Sequence, residues 1–365
     1  MKRNEIWRSY GTDFKEMTKR LLLQAGLEEL LPEKSARIAI KPNLVTPAPA
    51  SFGGTTHPEI IAGIIEFLQE RNYKEIVVAE SSWVGDRTSE AFDYCGYNAL
   101  AKKYGVRLID CQKEKGFSAD CMGQRINICS CVKDWDFLIN VPVLKGHCQT
   151  NITCALKNMK GLIPNSEKRR FHTMGLHKPI AHLNTYLKPD FIVIDHICGD
   201  LSFEEGGNPV TRNCIMAAID PVLVDAFVCS LLHYQISDVP YVGIAESLGV
   251  GSSDLSSLRL ITCEGEAYED LPARNLLDVS YTVDESDSCS ACYGVLLPAL
   301  DRLKEEGLLE QLDCPISIGQ GHRKKAGKLG VGNCTAGFDT CIKGCPPKEE
   351  DIYKQLKEYI LGQIS

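Results

Sequence analysis

From Arg37 onward, short apolar runs alternate with longer amphipathic stretches, and this rhythm restricts the fold more than any other feature of the chain. Arg37–Lys41, Glu75–Ala79, Val106–Asp110, Trp135–Asn140 and Phe191–Asp195 read as strands. Pro58–Asn72 reads as a helix, with Pro58 in its first turn and Ile60, Ile61, Ile64 and Leu68 along one face. Further helices are expected within Ser89–Tyr104 and over Pro221–His233. Strand–helix alternation of this kind predicts an α/β protein, with a mostly parallel sheet and helices on both faces. Such sheets gather ligands at the carboxyl ends of their strands. Polar residues stand at those ends here: Lys41-Pro42-Asn43, Glu80-Ser81-Ser82, Asp110 and Asp195-His196.

At 365 residues the chain is long enough for two domains. Its character changes near Leu271, so residues 1–270 are expected to form the α/β core and 271–365 a C-terminal module. In that module, acidic sequence over Asp284–Ser288 leads into Cys289. An amphipathic helix over Leu296–Leu309 should follow, then a short strand at Pro315–Gly319 and a Gly- and Lys-rich loop reaching Asn333. A last helix is expected over Lys348–Leu361.

The chain carries 17 cysteines and no apolar segment of the kind a secretory signal needs, which points to the cytoplasm and to reduced thiols. Cys198, Cys229 and Cys263 sit in apolar runs and read as small buried hydrophobes. The tail is different. Cys289-Ser-Ala-Cys292 is followed by Gly332-Asn-Cys334 and by Cys341-Ile-Lys-Gly-Cys345-Pro346. A C-x-x-C pair with a distant Cys-Pro is a ligand pattern for an iron–sulfur cluster. Four thiols also suit structural zinc, and a C-x-x-C pair also suits a redox dithiol. Glycine-rich surroundings favour a cluster, whose sulfides accept hydrogen bonds from close backbone N–H groups. Five thiols compete for four places; Cys341 lacks the following proline and reads as the spare.

Several motifs together resemble the bacterial and archaeal family named domain of unknown function 362. They are Lys41-Pro42-Asn43, His57-Pro58, Ala79-Glu80-Ser81, Val141-Pro-Val-Leu-Lys145-Gly146-His147, Thr153-Cys-Ala-Leu-Lys157-Asn158-Met-Lys-Gly161, Phe171-His172 and the cysteine tail. The resemblance runs from about residue 37 to the end. It implies an iron–sulfur protein with a 4Fe-4S cluster on Cys289, Cys292, Cys334 and Cys345.

Charge is unevenly spread. Between Lys145 and His182 there are seven Lys and Arg against one acid, a balance of +6 in a chain whose formal net charge is −8. One basic island in an acidic protein suits a small anionic ligand and speaks against nucleic acid as a partner. Lys145 and His147 end an apolar run, and Lys157 lies among Leu156, Met159 and Leu162, so partial burial is expected. Buried lysine and histidine shift their pKa values and can move protons. Lys145, His147, Lys157 and His172 are therefore the candidate catalytic residues, and Lys41, Asn43, His57, Glu80 and Asn158 the candidate substrate-binding ones. Lys168-Arg169-Arg170 reads as solvated surface. The spacing of His147, His172 and His177 matches no standard metal pair. The loop Gly319–Gly332 fails the Walker pattern, because Leu329 stands where Ser or Thr is needed, and it reads as wrapping the cluster.

These signs point to an iron–sulfur oxidoreductase acting on a small anionic substrate, with a ferredoxin-like protein as electron donor and no membrane partner. An electron carrier without a substrate of its own, or a non-redox enzyme with a structural cluster, would fit the same motifs.

Overall fold

The computed structural model describes residues 1–266 and 277–364. By contact the chain divides into two units, Met1–Gly146 with Thr150–Ala273, and His147–Gln149 with Arg274–Ser365. The expected boundary at 270/271 lies outside the described residues.

The first unit is built on an eight-stranded sheet. Its strands run in the order Arg259–Glu264, Glu5–Tyr10, Cys214–Ala218, Phe191–His196, Phe137–Asn140, Ile38–Lys41, Ile76–Glu80 and Arg107–Asp110. Cys214–Ala218 runs against both of its neighbours; the other described ladders of this sheet are parallel. The central strands are apolar on both sides because both sides are covered. Ile38, Ile40, Ile76, Val78, Phe137 and Ile139 join one core, with residues of the helices Phe14–Gln24 and Pro58–Glu70. Ala39, Val77, Leu138 and Ile192 join the other, with residues of His177–Tyr186 and Pro221–Leu231. Asp220 starts the last of these helices by accepting from the backbone N–H groups of Val222 and Leu223 at 3.0 and 3.2 Å.

Several elements depart from expectation. The helical stretch within Ser89–Tyr104 is two helices, Thr88–Tyr94 and Tyr97–Tyr104, because Gly96 turns left-handed at φ +80° between them. Strands at Glu5–Tyr10, Cys214–Ala218 and Arg259–Glu264, and the hairpin Gly116–Cys121 with Gln124–Cys129, were not anticipated.

The second unit has its own sheet, wholly parallel, in the order Val283–Glu285, Ile316–Ile318, Leu329–Val331 and Thr340–Ile342. Two helices, Ser290–Glu305 and Glu349–Ile364, pack on each other. The first begins six residues before the expected Leu296, because Cys289 stands at its N-cap. The loop expected to reach Asn333 is interrupted by the strand Leu329–Val331. Among the described residues no helix is long and apolar enough to cross a membrane.

Candidate functional site

In the first unit, the strands Ile38–Lys41, Ile76–Glu80 and Phe137–Asn140 are neighbours, and their last residues meet above the sheet edge. Lys41 Nζ donates to Glu80 Oε2 at 2.7 Å and to the Pro42 carbonyl at 2.6 Å. The backbone N–H groups of Leu44 and Ser81 donate to the two oxygens of the same carboxylate. Asn158 spans the strand ends, donating to Asn140 Oδ1 at 2.7 Å while its own Oδ1 faces Lys41 Nζ at 3.4 Å. Gly161 closes over this group: a Cβ there would fall on Glu80 Oε1 and Lys41 Nζ. The glycine that ends the Lys157-Asn158-Met-Lys-Gly161 motif is thus a requirement of space.

Lys145 is fully enclosed. Its Nζ donates to the carbonyls of Gly54 and Glu204 at 2.5 and 2.6 Å and to Asn43 Oδ1 at 3.3 Å. Gly146 beside it lies so close to the Leu201 backbone that any side chain would collide with it. Burial pushes the Lys145 ammonium down to about 7, with the Lys157 charge adding to the effect against the pull of Glu204 and Glu205. Lys157 Nζ reaches Glu204 Oε2 at 3.2 Å and Thr153 Oγ1 at 3.1 Å. Glu205, half-buried beside Glu204, is pushed up to about 7, by desolvation first and then by that neighbour's charge.

The basic island is therefore compensated from outside its own window. Lys157 faces Glu204, and Lys145 feels the charges of Glu204 and Glu205. Counting charge along the sequence could not show this. Lys168 corrects the surface reading: it is buried, and its Nζ donates to the carbonyls of Ser81 and Ser82. Burial pushes it down to about 8. Arg169 and Arg170 are exposed as expected. His172 lies half-buried on the helix Asn165–Thr173, and His177 stacks on Tyr241 with ring centroids 5.8 Å apart. His57 stands apart from the lysines, bound to Asp195.

In the second unit, Cys289 caps the helix Ser290–Glu305 and Cys292 lies in its first turn. Cys334 sits in the short turn Asn333–Thr335, and Cys345 follows the strand Thr340–Ile342. These four thiols are near enough to feel one another's charge. Burial pushes Cys292 up to about 12, and Cys289, Cys345 and Cys334 each add to it. Cys289 is raised by burial first and then by Cys334 and Cys345. Cys341 points elsewhere, with its Sγ 3.5 Å from Thr335 Oγ1 and 3.6 Å from the Gly332 carbonyl. Gln320 Nε2 donates to Cys289 Sγ at 3.6 Å, and the Arg323 guanidinium stands near enough to Cys334 to be raised by it. Gln320 and Arg323 both belong to the loop Gly319–Gly332. His147 groups with this unit by contact; its Nδ1 accepts from the Gln149 N–H at 3.0 Å and lies 4.0 Å from Cys148 Sγ.

Fold and site together define an α/β protein whose first unit has a lysine- and carboxylate-lined sheet edge and whose second unit carries cysteines within range of one another's charge. The model of the domain of unknown function DUF362 matches residues 38–230, just over half of the chain, and the chain belongs to that family. The match covers the sheet-edge motifs and ends ahead of the cysteine tail. The chain is 23% identical over 225 residues to a thylakoid-associated protein of Synechocystis sp., covering 59% of this chain and 68% of that one. Among solved structures, it is similar to the lactate racemase apoprotein from Thermoanaerobacterium thermosaccharolyticum, with TM-score 0.41 and 13% identity over 64% of this chain. A Thermotoga maritima protein gives TM-score 0.39 and 16% identity over 61% of this chain. The chain spans 57% and 60% of those two structures.

Proposed function

We propose that the chain is a 4Fe-4S protein with oxidoreductase activity on a small anionic substrate. The observation that carries the cluster is the separation of four thiols from a fifth. Cys289, Cys292, Cys334 and Cys345 share one electrostatic neighbourhood, while Cys341 is turned to Thr335 and Gly332. Four thiolates within range of one another's charge repel, and a cationic iron core would offset that repulsion. A donor from Gln320 toward Cys289 Sγ, and the Arg323 guanidinium near Cys334, suit the charge and hydrogen bonding such a core accepts. A bound cluster would supply single electrons.

The rest of the chemistry falls to the first unit. Lys145, near 7, and Glu205, near 7, can each hold or release a proton at neutral pH. Lys157 can hold an anionic group, once Glu204 gives way, by charge-assisted hydrogen bonds. Lys41, Glu80 and Asn158 tie together the strand ends at Lys41, Glu80 and Asn140. His147 and His172 remain candidates for proton transfer, and Asn43 positions Lys145.

The test is anaerobic purification with iron and sulfide analysis and electron paramagnetic resonance before and after reduction. About four irons and four sulfides per chain, with a reversible signal, are expected. Zinc in stoichiometric amount with no sulfide would end the proposal. A second reading, a non-redox enzyme with a structural cluster, is favoured by one observation: Lys145 and Glu205 are matched for proton transfer without any electron. A cluster that cannot be reduced reversibly would select it.

A further inference from the structure

Apart from the lysines, three side chains of the first unit meet in a relay. Asp195 ends the strand Phe191–His196, His57 stands at the N-cap of the helix Pro58–Glu70, and Cys198 follows the strand by two residues. His57 Nδ1 lies 2.8 Å from Asp195 Oδ2, and the same oxygen accepts the His57 backbone N–H at 2.8 Å. On the far side of the ring, Nε2 lies 3.7 Å from Cys198 Sγ. A base oriented by a carboxylate and aimed at a thiol is the arrangement that activates a cysteine nucleophile. We propose that Cys198 is a reactive nucleophile for small hydroperoxides, with His57 as proton donor and Asp195 as the residue that positions the ring.

The charge state supports this reading. Burial opposes protonation of His57, but the Asp195 carboxylate and then the Cys198 sulfur outweigh it and raise the ring to about 10. The ring is thus an imidazolium with Nδ1–H on Asp195 and Nε2–H toward sulfur. Access selects the substrate. Cys198 is only 8% exposed, which admits a molecule of few atoms. An acyl substrate would also need N–H donors for its oxyanion. The nearby N–H groups of His57, Ile197 and Asp200 are already taken by Asp195 Oδ2, Asp195 Oδ1 and the Gly53 carbonyl.

In the reaction the Cys198 thiol gives up its proton to water, its sulfur forms a bond to the nearer peroxide oxygen, and the O–O bond breaks. The departing oxygen leaves with the electron pair and takes the Nε2 proton, forming water or an alcohol. The sulfur is oxidised to sulfenic acid, the peroxide is reduced, and His57 is left neutral.

The molecule carries its own control. Cys95 is buried to a similar degree, at 6% against 8%, packs in the same core and, like Cys198 with Ala50 at 3.5 Å, faces a backbone carbonyl, that of Ala48 at 3.1 Å, but it has the Thr55 hydroxyl beside it in place of a ring. The anaerobically purified full chain is treated with low hydrogen peroxide in the presence of dimedone, and labelled peptides are quantified by mass spectrometry. Cys198 should label about tenfold or more faster than Cys95. His57→Gln and Asp195→Asn should each bring Cys198 down toward the Cys95 rate without raising Cys95. A loosened fold would instead raise both, so that outcome in the variants shifts the decision to the parent ratio alone. Equal labelling of the two thiols in the parent overturns the proposal, as does a Cys198 rate unchanged in a folded His57→Gln variant.

Discussion

Lys41 Nζ and Glu80 Oε2 lie 2.7 Å apart in a pair almost sealed from water, the residues being 1% and 3% exposed. A buried pair of this kind says little about net stability while it is whole, and a great deal once one partner is removed. Lys41→Met leaves the Glu80 carboxylate with only the Leu44 and Ser81 N–H groups. A loss of about 3–5 kcal/mol in urea unfolding is expected. Adding Glu80→Gln should recover part of it. A loss under about 1 kcal/mol, typical of an exposed pair, would contradict the burial argument.

Gly161 offers a separate test of the same spot. Gly161→Ala puts a methyl group where Glu80 Oε1 and Lys41 Nζ stand. Overpacking should cost about 1–3 kcal/mol, and the cost should shrink in the Lys41→Met background, where the obstruction is partly gone. Additive effects in the double variant would mean that the two positions do not interact.

The pH dependence of stability should carry a Lys145 signature. Its folded ammonium is depressed to about 7, while the unfolded chain keeps the ordinary 10.5. Between those values the unfolded state binds more protons, so this residue makes stability rise with pH over roughly 7 to 10. Below 7 its penalty is constant. Lys145→Met should flatten that rise in unfolding series at fixed ionic strength. An unchanged slope would show that Lys145 titrates normally in the folded chain.

For the thiols, single Ser substitutions at Cys289, Cys292, Cys334 or Cys345 should each strip most iron from anaerobically purified protein. Cys341→Ser should retain it, since that sulfur faces Thr335 and Gly332. Iron loss on Cys341→Ser with retention on Cys345→Ser would reverse the assignment.

What could be read in advance follows from where each signal lies along the chain. Ile38–Lys41, Ile76–Glu80 and Phe191–His196 announced themselves because strands covered on both faces are unbroken apolar runs. Glu5–Tyr10 was missed because Trp7 and Tyr10 sit among charged residues, and Cys214–Ala218 because Met216, Ala217 and Ala218 carry little strand preference. Lys41 and Glu80 could be nominated from their positions at strand ends. Lys168 could not, since its burial depends on the Ser81 and Ser82 carbonyls 87 and 86 residues away. The His57–Cys198 contact spans 141 residues and leaves no local trace. Cys198 accordingly looked like one more small core residue.

The position of Glu5–Tyr10 in its sheet has a consequence for synthesis. This strand leaves the ribosome well ahead of its two partners, Cys214–Ala218 and Arg259–Glu264, which emerge about 200 and 250 residues later. At typical translation speeds of roughly 5–20 residues per second it waits some tens of seconds with both backbone edges open. The parallel strands from Ile38 to Asn140 have no such delay and can assemble meanwhile. The nascent chain thus holds a nearly finished half-sheet and an orphan strand at once. Arrested chains ending before Cys214 should be cleaved within residues 5–10 by protease, and chains reaching past Glu264 should be protected there.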